Sequence, residues 1–156
     1  MNKILMIDDD EDDRLLFGHA IKAINPTIHS YEADDFLTAI EWLNVQLKLP
    51  DIIFLDLNIP PMNGFDCMQI IHVYNDWARI PIIIYSTSGY CLDIEKAQTL
   101  GAKGYFKKPN DYEQVYTKLE KIIKHEYLAD ISFLIAWVVH SLTVSEMDCG
   151  PYFNLW

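Results

Sequence analysis

Four short segments carry side chains suited to phosphoryl chemistry: Asp8-Asp9-Asp10, Asp56, Ser86-Thr87-Ser88 and Lys108-Pro109. Each comes at or just beyond the end of an apolar run. Carboxylates gathered in one place repel one another, which raises their pKa values or destabilises the fold. A hard divalent cation relieves that repulsion, and Mg²⁺ favours one or two carboxylates with waters and a phosphate. A lysine and a small hydroxyl close by suit phosphoryl oxygens. The chemistry suggested is Mg²⁺-assisted phosphoryl transfer to a carboxylate.

The elements that must bring these segments together alternate along the chain. Apolar runs lie at Lys3–Ile7, Thr27–Tyr31, Asp51–Leu55, Ile80–Tyr85 and Gly104–Phe106. ILMI, IIFL and PIIIY are continuous, as strands buried on both faces of a parallel sheet read. Helix-like segments fall between and after them: Asp12–Ile24, Phe36–Leu47, Gly64–Tyr74, Leu92–Leu100 and Tyr112–Lys124. Asp34 or Asp35, Asn63 and Asp111 are candidate caps, and Gly101 is a plausible left-handed stop. This alternation predicts an α/β fold, a doubly wound sheet with right-handed crossovers. In such sheets ligands sit at the carboxyl ends of the strands, where all four segments fall.

Composition narrows the function classes. The 156 residues fit one ordinary domain, and 51% hydrophobic with 22% charged residues is globular composition. The net charge of -11 argues against binding a nucleic-acid backbone. The acidic run Asp8–Asp13 would usually be a solvated surface, but its place after an apolar strand favours a site. Cys67, Cys91 and Cys149 are scattered, which argues against a disulfide framework and fits a reduced, cytoplasmic protein. The five histidines show no metal-ligand spacing. The N-terminal apolar run is too short for a signal peptide, and Ile131–Val139 is too short to span a bilayer, so no membrane role is expected.

Together, IDDDEDDRLLF, LDLNIPPMNGFD, IPIIIYSTSG and LGAKGYFKKP resemble the receiver domain of bacterial response regulators. The resemblance covers residues 1–125 and leaves 126–156 as a C-terminal extension. It implies a flavodoxin-like, five-stranded parallel sheet with helices on both faces and strand order 2-1-3-4-5. It also implies that Asp56 accepts the phosphoryl group, with Mg²⁺ held by Asp8, Asp9, Asp56 and the backbone carbonyl of Asn58. Ser86 aligns with the switch hydroxyl, with Thr87 as its rival by type. Lys108 would pair with the phosphoryl group, and its bond to Pro109 is expected to be cis. Tyr105 resembles the aromatic switch that follows the hydroxyl, and Asn58 and Ser88 occupy positions expected to influence dephosphorylation. Asp10, Asp12 and Asp13 read as surface and helix-cap residues.

The implied protein is a single-domain regulator, a phosphoacceptor rather than an enzyme. A sensor histidine kinase or phosphotransfer protein would phosphorylate it, and a downstream protein would bind the switched face of the fourth helix, fifth strand and fifth helix. Its small size, IDDDEDDRLLF and YSTSG resemble regulators of bacteriophytochrome-type kinases. Two other classes compete: a phosphatase of the haloacid dehalogenase type and a pseudo-receiver that only binds. The phosphatase would want an acid where Asn58 stands, and the complete acidic, hydroxyl and lysine set speaks against the pseudo-receiver. The 31-residue extension is too short for a separate output domain. It reads as an extra packing element or a homodimer contact, given eight apolar residues of nine in Ile131–Val139.

Overall fold

The computed structural model describes residues 1–127 and 154–155. In chain order the elements are β1 (Lys3–Ile7), α1 (Glu11–Ile24), β2 (His29–Ala33), α2 (Phe36–Asn44) and β3 (Ile52–Leu55). Next come β4 (Asn58–Ile59), β5 (Met62–Asn63), α3 (Gly64–Val73), β6 (Ile82–Ser86), α4 (Cys91–Thr99), β7 (Gly104–Lys107), α5 (Tyr112–Tyr127) and β8 (Asn154–Leu155). The main sheet runs β2-β1-β3-β6-β7 with every pairing parallel, the predicted doubly wound order. Two features were not foreseen. β4 and β5 form a small antiparallel hairpin, and β8 pairs antiparallel with the outer edge of β7.

Strand periodicity assigns the core to two faces. Leu5, Ile7, Ile53, Leu55, Ile82, Ile84 and Tyr105 point to the layer built with α2, α3 and α4. Ile4, Met6, Ile52, Phe54, Ile83, Tyr85 and Phe106 point to the layer built with α1 and α5. Continuous apolar strands are therefore required, since both faces are covered and neither side of the pleat meets water.

Local capping sets the helix starts. Asp10 caps α1 by accepting from the N–H groups of Asp12 and Asp13, and Asp35, not Asp34, caps α2 through Thr38 N–H at 2.6 Å. Asn63 accepts from Asp66 N–H at 3.0 Å to start α3, and Asp111 accepts from Gln114 N–H at 2.9 Å at the start of α5. Gly101 has φ +90 just past α4, as its glycine predicts. The expected second strand lay at Thr27–Tyr31, whereas β2 starts two residues later because Lys3 aligns with His29.

Cys67 is free and buried and Cys91 opens α4, while Cys149 lies outside the described residues. No helix among the described residues is long and apolar enough to cross a membrane. The expected division at residue 125 falls within the last turn of α5, and Ile131–Val139 lies outside the described residues.

Gly64 shows how tightly the loop after β3 is held. Its N–H donates to Leu57 O at 2.9 Å, and a Cβ there would lie 2.2 Å from the backbone oxygen of Asp56. Backbone cannot yield as a flexible side chain can. Gly64→Ala is therefore expected to destabilise the fold by about 1–3 kcal/mol, read as a lower urea midpoint at unchanged slope. An unchanged midpoint would refute the close approach.

Candidate functional site

The parallel ladder carries its order past the strand ends. Asp8 N–H donates to Ala33 O at 3.1 Å, Asp56 N–H to Ile7 O at 2.9 Å, and Lys108 N–H to Ser86 O at 2.8 Å. These bonds place the first residues beyond β1, β3 and β7 side by side. They also extend the alternation: Asp8, Asp56 and Lys108 take the parity of the α1/α5 layer, while Ser86 and Tyr105 take that of the α2/α3/α4 layer.

Lys108 is the centre of the cluster. Its Nζ lies 2.7 Å from Asp8 Oδ2, 2.7 Å from Asp13 Oδ2 and 2.9 Å from Asp56 Oδ2. Asp8, Asp56 and Lys108 are all buried. The ammonium also sits 5.3 Å from the ring centre of Tyr85, whose face favours a cation. Asp56 is held at both oxygens, since Oδ1 accepts from Leu57 N–H at 2.6 Å and Oδ2 from Lys108. Asp8 Oδ1 accepts from Asp10 N–H at 3.1 Å.

The electrostatics are unbalanced. Burial, reinforced by the Asp56 charge, raises Asp8 from its ordinary 3.8 to about 6, despite the opposing pull of Lys108. Burial acts to lower the Lys108 pKa, but the surrounding carboxylates of Asp13, Asp8 and Asp56 outweigh it and hold the ammonium protonated. One ammonium thus faces more carboxylates than it can neutralise.

A carboxylate oxygen from each of Asp8, Asp9 and Asp56 lies within 4.8 Å of the others. Asp8 Oδ2 is buried and accepts no hydrogen bond of good geometry, its Lys108 contact being a close ion pair only. An all-oxygen donor set with an unsatisfied buried oxygen fits a hard divalent cation. Asn58, in β4, lies two residues beyond Asp56 and is exposed at its side chain.

On the opposite parity, Ser86 is buried and its Oγ accepts from Ser88 N–H at 3.3 Å. Thr87 points to solvent. Tyr105 is fully buried, which raises its pKa, and its hydroxyl donates to Ser88 O at 3.0 Å. The Ser88 hydroxyl in turn bonds Asp93 in the first turn of α4. A continuous set of contacts therefore runs from the loop after β6 into α4.

Two readings change. The expected cis bond at Lys108–Pro109 is absent; the described residues hold a cis peptide at Pro60–Pro61 instead. Lys108 N–H nonetheless donates to Ser86 O at 2.8 Å, and its Nζ reaches the three carboxylates at 2.7 to 2.9 Å. Asp13, expected at the surface, contributes a carboxylate to the cluster, whereas Asp10 and Asp12 are exposed as expected. Helical phase was the available signal: α1 packs on the face that carries Lys108, and Asp13 lies in its first turn.

Comparison with known proteins agrees with this geometry. The family model of the response regulator receiver domain matches residues 4–120. Chemotaxis protein CheY-3 of Vibrio cholerae is 29% identical over 124 residues, covering 78% of this chain and 92% of that protein. Sensor histidine kinase CheAY of Helicobacter pylori is 28% identical over 123 residues, which cover 79% of this chain and 15% of that longer protein. The chain spans 57% and 52% of the length of two further curated relatives. Among solved structures, the phosphorylated cyanobacterial phytochrome response regulator RcpA superposes with a TM-score of 0.73 at 25% identity, covering 84% of this chain and 96% of that one. By its matched sequence, its sheet order and its strand-end cluster, the chain belongs to the response regulator receiver domain family.

Proposed function

We propose that the protein accepts a phosphoryl group on Asp56 from a histidine kinase or phosphotransfer protein and thereby changes its affinity for a downstream protein. The observation that carries this reading is the Lys108 ammonium 2.9 Å from Asp56 Oδ2, at the buried meeting point of three strand ends. A carboxylate oxygen of Asp56 attacks phosphorus, the donor's phosphorus–nitrogen bond breaks, and the imidazole leaves with that electron pair. Lys108 neutralises charge on the transferred oxygens, and the rigid strand ends supply alignment. Asp8, Asp9, Asp56 and the Asn58 carbonyl are the residues that would hold Mg²⁺, which supplies charge neutralisation to the phosphoryl oxygens when bound.

Ser86 is the hydroxyl assigned to a phosphoryl oxygen, favoured over Thr87 by its burial. Its movement would disturb the Ser88 loop that holds the Tyr105 hydroxyl, and so shift the balance of surfaces presented by α4, β7 and α5. The phytochrome and bacteriophytochrome response regulators named among the structural neighbours make a kinase of the phytochrome type the first donor to try.

Acetyl phosphate with Mg²⁺ is expected to add one phosphoryl group, seen by intact mass, at an aspartyl linkage. Asp56→Asn should abolish that adduct; a persistent aspartyl phosphate in the variant would overturn the assignment.

The unbalanced pocket yields a second expectation. Asp8 has a raised folded-state pKa, so its ionisation destabilises the metal-free fold above about pH 6. That penalty fades as pH falls from about 6 toward the ordinary 3.8. Asp8→Asn should therefore stabilise the metal-free protein at neutral pH by roughly 1–3 kcal/mol, with the gain vanishing near the ordinary carboxyl pKa. Urea melts in a chelator across that range check it, and destabilisation at neutral pH would contradict it.

A further inference from the structure

Lys108 divides its protons unevenly. Asp13 Oδ2 and Asp56 Oδ2 each accept a hydrogen bond from it, at 2.7 and 2.9 Å, while the fully buried Asp8 Oδ2 has only the ion-pair contact. The most solvent-exposed carboxylate of the three, with 26% of its side chain open, thus takes a bond that a buried oxygen lacks. Three carboxylate oxygens already stand within 2.9 Å of this one ammonium, whose three donors they surround, so a new acceptor must share it or displace one of them. Asp8 and Asp56 are confined by burial, whereas Asp13 can turn to water at little loss.

Asp13 is also held where it is. Its N–H donates to the capping carboxylate of Asp10 at 3.3 Å, fixing the first turn of α1 over the face that carries Lys108. A carboxylate held there competes with an incoming phosphoryl group for the ammonium and repels its negative charge across a partly desolvated site.

We propose that Asp13 is a positioning residue that restrains phosphoryl acceptance by holding Lys108 in the unmodified protein. This rests on the assignment of Asp56 as acceptor and Lys108 as its cationic partner. When the phosphoryl group arrives, Lys108 turns to its oxygens and Asp13 is released to solvent. The modification is thereby communicated to the first turn of α1 as well as to the Ser86 side.

The test uses the full chain with saturating Mg²⁺ and beryllofluoride as the phosphoryl probe, followed by amide chemical shifts. Asp13→Asn and Asp13→Ala should each bind beryllofluoride roughly three- to tenfold more tightly than the unsubstituted protein and take up phosphate from acetyl phosphate faster by a similar factor. Asp13→Glu, which keeps the charge, should restore affinity toward the unsubstituted value; a role limited to packing or capping would not follow charge in this way. Unchanged or weaker binding by both neutral variants, with the unsubstituted protein still binding, overturns this inference alone. Failure of the unsubstituted protein to bind beryllofluoride overturns it together with the reading of Asp56.

Discussion

A single buried ammonium among several carboxylates is the constraint around which the rest of the molecule is arranged. Lys108 must reach across from β7 to residues at the ends of β1 and β3, which lie far away in sequence. Removing charged groups from water is expensive unless their partners are close and well oriented. Such partners can be held only by a rigid frame, and the parallel ladder with apolar layers on both faces provides one. The strands are rich in Ile because two covered faces demand it, and the cluster stays in place because those strands cannot slide.

The same cluster is not at rest electrostatically. Burial leaves Asp8 reluctant to ionise while Lys108 is firmly protonated, so the pocket is short of positive charge. A site in that condition gains from a divalent ion and from any arrangement that spreads negative charge over more donors. Stability and reactivity are in tension here, as is common where charged groups are confined for function.

Much of this was legible in the residues. Strand–helix alternation predicted the doubly wound sheet, the resemblance implied its strand order, and ILMI, IIFL and PIIIY marked the three strands whose ends carry Asp8, Asp56 and Ser86. Caps at Asn63 and Asp111 and the stop at Gly101 followed from local chemistry, which for α2 narrowed the cap to Asp34 or Asp35 before the structure chose Asp35. What escaped depended on distant contacts. Asp13 looked like one more charge in an acidic run, since its value comes from helical phase against a lysine ninety-five positions away. The proline bond at position 109 was expected cis from resemblance, whereas the described residues hold their cis peptide at Pro60–Pro61. The strand at Asn154–Leu155 carries no period long enough to be read as an element.

The division of strand-end residues between two faces bears on how such a chain can drift in evolution. Side-chain direction along β6 is counted in single residues, with Ile82, Ile84 and Ser86 on one side and Ile83 and Tyr85 on the other. Replacing one aliphatic residue by another within that strand leaves the count intact. Inserting or deleting one residue would exchange the buried serine hydroxyl for a tyrosine or a threonine and turn the apolar layer inside out. Lineages carrying this architecture should therefore vary freely in strand composition while keeping strand length nearly invariant, with length changes confined to the connections on the far side of the sheet.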